Sequence, residues 1–594
     1  MSKLSDEDIR HLVEITDDMA ENSEAEGDSD ADDDVPIHLL ETEEGEANNS
    51  SLASDMSHES GECGPQEAEE NDEEEGNVPD SLSDDEDFHW DRVVSPPPQF
   101  SNTNFMQPCG ISHNAAVNLE SPLEIFMLLL TPTFMEYIVA QSNVYATQKN
   151  ASLDLTVEEL KAFLGILIIM GFNTLPSLRL FWSTDTNFHI ERIACIMPLK
   201  RFLKILRFLH LNDNNAQPQK GEPNYKTHKV KPIIDHVNKT FRLLFNPSRY
   251  LAVDESMIKF KGRSSLKQYM PMKPVKRGFK MWVLACSVTG YCLAVSLYEG
   301  KDGSTGQSLG ERVVNKLIEG YEGFGYCLFF DNFFSNLPMI KRLLQKKYFA
   351  CSTIRQTRKF FPHAQLRSDK DLKIGESDFI AAGDIGVAKW KDRGKKCVCI
   401  ATTMHNVSEK AQVLRTNKEG KRESVSCPTC IKDYNAYMGG VDHFDQLVSA
   451  YNISWKSRKW WIKIFYYCID AMIVNAYILY KTTYQTVHPR KKCLTHLKFR
   501  SLLANELVGS FYARQKKGPT PQKGRGRKRN HPDGRATLPN ATRLANVGEH
   551  LPLKGTRRRC AYCSTSKEQR RSNIQCMKCN VALCLECFAP FHKS

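Results

Sequence analysis

The sequence predicts an α/β protein: a mixed β-sheet with helices packed on its faces, flanked by helical segments. Three observations predict it. From about Pro122 to Leu244 the apolar residues recur at helical spacing. At Tyr250 the period changes to that of strands. Three strands that read as antiparallel are then followed by alternating helices and strands. At 594 residues the chain is too long for one core, so several domains are expected.

The elements follow in order. Leu123–Leu130 and Phe134–Gln141 read as helices. Thr156-Val-Glu-Glu159 is a capping box that opens the apolar helix Leu160–Phe172. Phe202, Ile205, Leu206 and Leu209 form a helical stripe, and Ile233–Leu244 is a further helix. These stripes are core. Tyr250–Phe260, Phe279–Val288 and Tyr291–Tyr298 read as strands, the last two joined by the hairpin signal Thr289-Gly290. Glu311–Tyr321 is a helix, Tyr326–Asp331 a strand, Leu337–Gln345 a helix and Tyr348–Ile354 a strand. Residues 358–425 break this rhythm and read as an insertion in which short β-like pieces such as Val398–Thr403 sit among charged loops. Helix returns from Asp433, and Trp460–Tyr480 is long, apolar and aromatic.

The net charge of +8 hides an asymmetry. Residues 1–100 hold 34 Asp/Glu and 3 Lys/Arg, so they stand at −31 and the remainder at +39. An acidic segment poor in aromatics cannot bury enough surface to fold, and disorder is expected there. The basic body suits a phosphate polyanion, for which the acidic segment could compete. No N-terminal apolar stretch resembles a signal peptide. The runs Leu123–Leu130 and Phe163–Phe172 fall short of the roughly 18–20 residues a bilayer needs, so no membrane partner is expected. In an intracellular chain, 19 cysteines argue for metal sites or reduced thiols over disulfides.

Three segments carry the chemistry. Leu251-Ala-Val-Asp254-Glu255 and Leu328-Phe-Phe-Asp331-Asn332 each place a carboxylate within or at the end of an apolar strand. Gly439-Gly440-Val-Asp442-His-Phe-Asp445 places two carboxylates on one helix face, just after a Gly-Gly. If the two strands are parallel neighbours, Asp254 and Asp331 meet. Oxygen-seeking divalent cations need carboxylates held on rigid elements, and two such cations can clamp the attacking and leaving oxygens of a phosphodiester. Glu255 faces the other side of its strand and is the weaker candidate.

Basic residues crowd beside these acids. Lys259, Lys261, Arg263, Lys267, Lys273, Lys276, Arg277 and Lys280 lie close to Asp254 in the chain. Lys456, Arg458, Lys459 and Lys463 interleave with Trp455, Trp460 and Trp461, a mixture that suits backbone neutralisation with base stacking. Lys523-Gly-Arg525-Gly-Arg527-Lys528-Arg529 reads as a nuclear localisation signal or a minor-groove arm.

The C-terminal end holds Cys560-x2-Cys563, Cys576-x2-Cys579 and Cys584-x2-Cys587, then His592. Seven ligands in so short a segment predict structural zinc, which would supply stability that a small apolar core cannot. A cross-brace would pair Cys560/Cys563 with Cys584/Cys587 and Cys576/Cys579 with His592, leaving the second ion one ligand short. His550 is a possible eighth ligand, and a sequential pairing stays open. Cys427-Pro-Thr-Cys430 has knuckle spacing without a partner pair and is read as non-metal.

Residues from about 115 to the end resemble the piggyBac transposases, especially the transposable-element-derived group with a cysteine-rich tail. The strings that carry this are Ala252-Val-Asp254-Glu-Ser-Met, Lys259-Phe-Lys-Gly-Arg263, Gln268-Tyr-Met-Pro-Met-Lys-Pro274, Gly278-Phe-Lys, Phe330-Asp331-Asn-Phe-Phe-Ser335, Tyr434-Asn, Met438-Gly-Gly-Val-Asp442-His-Phe-Asp445-Gln and Arg458-Lys-Trp460-Trp, with the cysteine tail. The resemblance implies a ribonuclease-H-like catalytic core with an insertion, a two-part helical domain for dimerisation and DNA binding, and a zinc module that reads DNA. It places the metal-binding acids on Asp254, Asp331 and Asp442, with Asp445 as the fourth acid and two Mg²⁺ as catalytic ions beside two structural Zn²⁺. Trp460 matches the family tryptophan that supports unpaired bases. The implied reaction is cut-and-paste transposition: hydrolysis at the transposon end, attack by the freed 3′-hydroxyl, a hairpin, and joining to a TTAA target by a homodimer in the nucleus. The alternative is a domesticated, DNA-binding nuclear protein that keeps the fold without transposing. The expected domains are an acidic region 1–112, helical parts 113–249 and 452–515, catalytic parts 250–357 and 426–451, the insertion 358–425, a basic linker 516–556 and the zinc module 557–594.

Overall fold

The computed structural model describes residues 88–93, 95–112, 121–271, 273–300, 307–416, 420–512, 550–565 and 568–593. They fall into two compact units, one within Met1–Gln515 and one within Lys516–Ser594. Of the acidic region expected to be disordered over 1–112, residues 1–87 lie outside the described residues, as does the basic run Lys523–Arg529. Residues 88–93 and 95–112 instead pack on the larger unit: Arg92 pairs with Asp378 at 2.5 Å, and Gly110–Ile111 pairs antiparallel with Phe245–Asn246.

After a one-turn helix at Pro98–Ser101 and the short strand Gly110–Ile111, the larger unit runs through six helices: α1 (Pro122–Leu129), α2 (Pro132–Gln148), α3 (Val157–Phe172), α4 (Glu191–Ile196), α5 (Leu199–Phe208) and α6 (Lys231–Leu244). Thr156 caps α3 as the sequence predicts, its hydroxyl accepting from the Glu159 N–H at 3.2 Å. The α3 helix is apolar nearly all round because it is enclosed. At Gly165 a Cβ would lie 2.7 Å from Val508 Cγ2 and 3.0 Å from the Ala504 carbonyl, so glycine sets the closeness of α3 to α12 (His496–Val508).

A nine-stranded sheet follows. Its strands are β1 (Tyr250–Lys259), β2 (Lys267–Tyr269), β3 (Arg277–Cys286), β4 (Cys292–Leu297), β5 (Cys327–Phe330), β6 (Phe349–Thr353), β7 (Ser377–Ala382), β8 (Ile385–Trp390) and β9 (Val398–Thr402). Their order is β2-β3-β1-β5-β6-β9-β8-β7, with β4 pairing β3. The β1–β3 and β3–β4 pairs are antiparallel, whereas β1, β5 and β6 run parallel. Helices α7 (Leu309–Ile318) and α8 (Leu337–Gln345) make the two crossovers. Here the structure adds to the sequence reading. Strands β7–β9 of the 358–425 segment do not stand apart but continue the main sheet, because β9 pairs antiparallel with β6. A separate hairpin, β10 (Lys410–Thr416) and β11 (Arg422–Pro428), completes that segment.

Four helices close the unit: α9 (Thr429–Tyr437), α10 (Gly440–Ala450), α11 (Trp460–Val487) and α12. Among the described residues α11 alone is a single helix long and apolar enough to cross a membrane, yet its apolar stretch is 89% buried in the fold, against α1, α6 and α10. Two asparagines, Asn475 buried and Asn238 half-buried, fasten the border strand β4. Asn475 of α11 exchanges both hydrogen bonds with the Cys292 backbone, at 2.9 and 2.8 Å, and Asn238 of α6 does the same with Val295, at 2.7 and 2.9 Å. Asp470 of α11 meets the fully buried Arg500 of α12 at 2.5 Å and accepts the Ile453 N–H at 2.8 Å, while Arg500 also donates to the Tyr451 carbonyl. This cluster ties the segment after α10 to the helical core.

The smaller unit pairs β12 (Pro552–Arg559) with β13 (Arg571–Cys576) and ends in α13 (Leu585–Lys593).

Candidate active site and metal centres

The acid site is built at the middle of the sheet. Val253 pairs with Phe330 at the last rung of the parallel β1–β5 ladder, so Asp254 and Asp331 stand level where β5 ends. Asp331 leaves its strand in a turn, its carboxylate accepting the Phe333 N–H at 2.9 Å. Helix α10 crosses the same face. A Cβ at Gly440 would sit 2.9 Å from Ser287 Cα and 3.1 Å from Ala252 Cβ, so the first turn of α10 presses directly on the sheet. Four residues on, Ser256 donates to the Asp445 carboxylate at 2.7 Å. Ala252, Asp254 and Ser256 alternate to one face, so α10 touches the sheet on either side of Asp254. Asp442 shares the helix face of Asp445 and is exposed. Strand pairing and helix docking thus bring all four expected acids to one region.

Their electrostatics are those of acids crowded together and withdrawn from water. Burial, then the charge of Glu255, raises Asp254 to about 8. Burial and Glu255 raise Asp331 as well. Burial lifts Asp445 to about 6, opposed in part by the Ser256 hydroxyl. Burial also works to raise Glu255, but its hydrogen bond with Asp254 and the ammoniums of Lys280 and Lys273 outweigh it. Glu255 is thus coupled to Asp254 and the two titrate as a pair, although strand alternation alone sets them on opposite sides. A divalent cation would reverse these shifts by favouring the ionised carboxylates, and the oxygen-only donor set suits such an ion. Two neighbours escape a reading by spacing. Tyr434 of α9 lies close enough to feel both Asp254 and Asp331. Lys273 reaches Glu255 at 3.0 Å. The motif containing Lys273 was legible as basic, but its position among the acids depends on how the β2–β3 loop folds.

The expected DNA-contacting residues divide. Lys259, Lys261 and Arg263 are exposed at the end of β1. Lys456 and Arg458 are exposed ahead of α11. The two strings converge: burial, then the charge of Lys259, lowers Lys463 to about 8, and half-buried Trp460 meets Phe279 edge-on at 6.1 Å. Lys459 turns inward instead, its ammonium donating to the Arg207 carbonyl at 2.7 Å beside the Tyr145 and Trp461 rings. Trp461 is a core residue.

In the smaller unit the ligand atoms of Cys560, Cys563, Cys584 and Cys587 lie within 4.8 Å of one another, and so do those of His550, Cys576, Cys579 and His592. Tetrahedral zinc with Zn–S near 2.3 Å spaces its sulfurs by about 3.8 Å and sulfur from nitrogen by about 3.5 Å. Cys563 and Cys584 sulfurs are 3.7 Å apart. Cys579 Sγ lies 3.0 Å from His550 Nδ1 and 3.6 Å from His592 Nε2, with Cys576 Sγ 3.4 Å from His550 Nδ1. Backbone N–H groups of Cys584 and Cys579 point at the sulfurs of Cys560 and Cys576, at 3.3 and 3.4 Å. His592 is oriented by the Phe588 carbonyl at 2.8 Å, which leaves Nε2 toward the cysteines. Both sets fit a zinc ion. His550 occupies the eighth position. Its distance from the other ligands in the chain is why spacing alone gave it little weight. Cys427 and Cys430 are buried in the apolar core of the larger unit.

Comparison with known proteins agrees with this architecture. The family described as Transposase IS4 matches residues 121–477. PiggyBac transposable element-derived protein 3 of Homo sapiens is 30% identical over 490 residues, 80% of this chain and 76% of its own length. PiggyBac transposable element-derived protein 2 of Homo sapiens is 28% identical over 457 residues, 75% of this chain and 72% of its own. A cryo-EM structure of the piggyBac transposase synaptic complex with hairpin DNA superposes with a TM-score of 0.62, at 24% identity, over 81% of this chain and 98% of that one. With the matched segment spanning more than half of the chain and enclosing the four acids, the chain belongs to the piggyBac transposase family.

Proposed function

We propose that this chain is a divalent-metal-dependent DNA transposase, in which Asp254, Asp331 and Asp442 hold two Mg²⁺ ions and Asp445 is the fourth acid. One observation carries the reading: the β1–β5 register sets Asp254 beside Asp331 while α10 lies across Asp254. The strand order β4-β3-β1-β5-β6, three antiparallel strands then two parallel ones, supports a ribonuclease-H-like core. When bound, the ions supply activation of the attacking oxygen and stabilisation of the leaving one. The protein's part is placement. The middle of β1 fixes Asp254 and the end of β5 fixes Asp331, and Ser256 holds Asp445 and with it the pitch of α10. Lys259, Lys261, Arg263, Lys456 and Arg458 neutralise strand phosphates, and Trp460, braced on Phe279, supports an unpaired base. The substrate is double-stranded DNA, at transposon ends and a TTAA target, handled by a homodimer in the nucleus, where Arg525, Arg527, Lys528 and Arg529 direct it. Two structural Zn²⁺ hold the C-terminal unit, which reads DNA.

An excision assay tests this. Wild-type protein and Asp254→Ala are compared on a donor plasmid bearing the genomic sequences that bracket the locus, with Mg²⁺. Donor cleavage by the wild type alone is the expected result. If both leave the donor intact while a gel shift shows salt-dependent binding, the chain is a DNA-binding descendant that keeps the fold and has lost the reaction.

A further inference from the structure

Lys273 occupies an unusual place for a basic residue of this surface. It sits on the loop joining β2 to β3, flanked by Pro271 and Pro274. The Met270 N–H donates to the Lys276 carbonyl at 2.8 Å and the Lys273 N–H donates to the Met270 carbonyl at 3.2 Å, so the loop is a closed hairpin tip. Its base is fixed, because β2 and β3 pair from Lys267 with Phe279 to Tyr269 with Arg277. From this tip the side chain turns back over the acid site. Its ammonium lies 3.0 Å from Glu255, and the charges of Asp254 and Asp442 act on it too. Glu255 is only 10% exposed, whereas the Lys273 side chain is 33% exposed and has a route outward.

A lysine ammonium is a compact single charge on a flexible stem. It can balance part of a carboxylate cluster but cannot gather its oxygens as a divalent ion does. The two cations compete for the same negative field. We propose that Lys273 is the exchangeable counter-ion of the acid site: it neutralises the carboxylates when no divalent ion is present, and swings outward when one enters. The released ammonium then stands at the rim of the acid site on a basic hairpin, placed to meet a phosphate of bound DNA. Metal entry is thereby coupled to the β2–β3 tip. This inference rests on the acid-site reading above and adds to it a positioning residue and the order of events.

The experiment uses the full-length, zinc-loaded protein and Mn²⁺ as the probe. Calorimetric titration compares wild type, Lys273→Met, which keeps most of the apolar stem, and Asp254→Ala. Removing one positive charge at this range is expected to tighten Asp254-dependent Mn²⁺ binding about tenfold in Lys273→Met. Hydrogen exchange on the wild type gives a readout that needs no variant. Mn²⁺ is expected to speed exchange at the Met270 and Lys273 amides, and to have no such effect in Asp254→Ala. Equal or weaker Mn²⁺ binding by Lys273→Met overturns the proposal, as does an unchanged loop when the wild type is saturated. Wild-type Mn²⁺ binding that does not depend on Asp254 is a different failure, since it removes the acid-site reading itself.

Discussion

Breaking the Asp470–Arg500 pair from either side should have unequal consequences. The pair is buried, with Arg500 at 0% and Asp470 at 2% side-chain exposure, and its two groups also hold the Tyr451 carbonyl and the Ile453 N–H. Asp470→Ala leaves a guanidinium that cannot lose its proton, so it should cost about 3–5 kcal/mol, the usual toll of an unpaired buried charge. Arg500→Met leaves a carboxyl that can take up a proton, and burial already pushes Asp470 upward with only Arg500 and the Ile453 N–H opposing it. In that variant the folded state binds a proton that the unfolded state lacks at neutral pH, so its stability relative to wild type improves as pH falls. We expect Arg500→Met to lose about 2–3 kcal/mol at pH 8 and to recover at least 1 kcal/mol of that by pH 5.5. Urea melts followed by α11 helicity at the two pH values measure both. Equal losses for the two variants, or an Arg500→Met deficit that grows on acidification, would refute the reasoning.

Acid should also act through His496, which stacks on Tyr477 with neither ring nitrogen hydrogen-bonded among the described residues. Burial, with Arg500 nearby, depresses it to about 3, so its stabilisation is full above its unfolded value near 6.5 and is lost as pH falls toward 3. The loss should reach about 2 kcal/mol by pH 5, and His496→Phe should melt with a shallower pH dependence than wild type over that range. Gly440→Ala would drive a methyl against Ser287 Cα and should cost about 1–3 kcal/mol with reduced DNA cleavage; an unchanged melting temperature would contradict the close approach. A zinc chelator should release two ions per chain and unfold the C-terminal unit, and Cys584→Ser should reduce the stoichiometry to one, as read by a colorimetric zinc assay with near-neighbour amide exchange.

Much of this was legible in the sequence for a simple reason: local patterns encode it. The change of period at Tyr250, the Thr156 cap and the Thr289-Gly290 hairpin are short-range signals, and β1, α3 and the β3–β4 turn lie within a few residues of where those signals place them. Asp254 and Asp331 were legible because each interrupts or ends an apolar run, and Asp442 and Asp445 because they share a helix face just after a Gly-Gly. What spacing could not give is partnership across the chain. That β9 would pair with β6 and extend the sheet depends on an edge exposed only after the core has formed. The inward turn of Lys459 depends on where α5 ends, at the Arg207 carbonyl. His550 lies ten residues before Cys560, and nothing in its own neighbourhood marks it as a ligand.

The asparagine side chains on β4 have a consequence for how this sheet can vary. Cys292 and Val295 spend their outward-facing amides and carbonyls on Asn475 and Asn238, so a further strand cannot pair with β4 at these two residues, whether from this chain or from another molecule. At the opposite margin β9, β8 and β7 follow one another, and the Asp91 backbone bridges the outer strand at Ala381. Additions there displace nothing around Asp254 and Asp331, so that side of the protein can lengthen, shorten or acquire new loops while the carboxylates stay put.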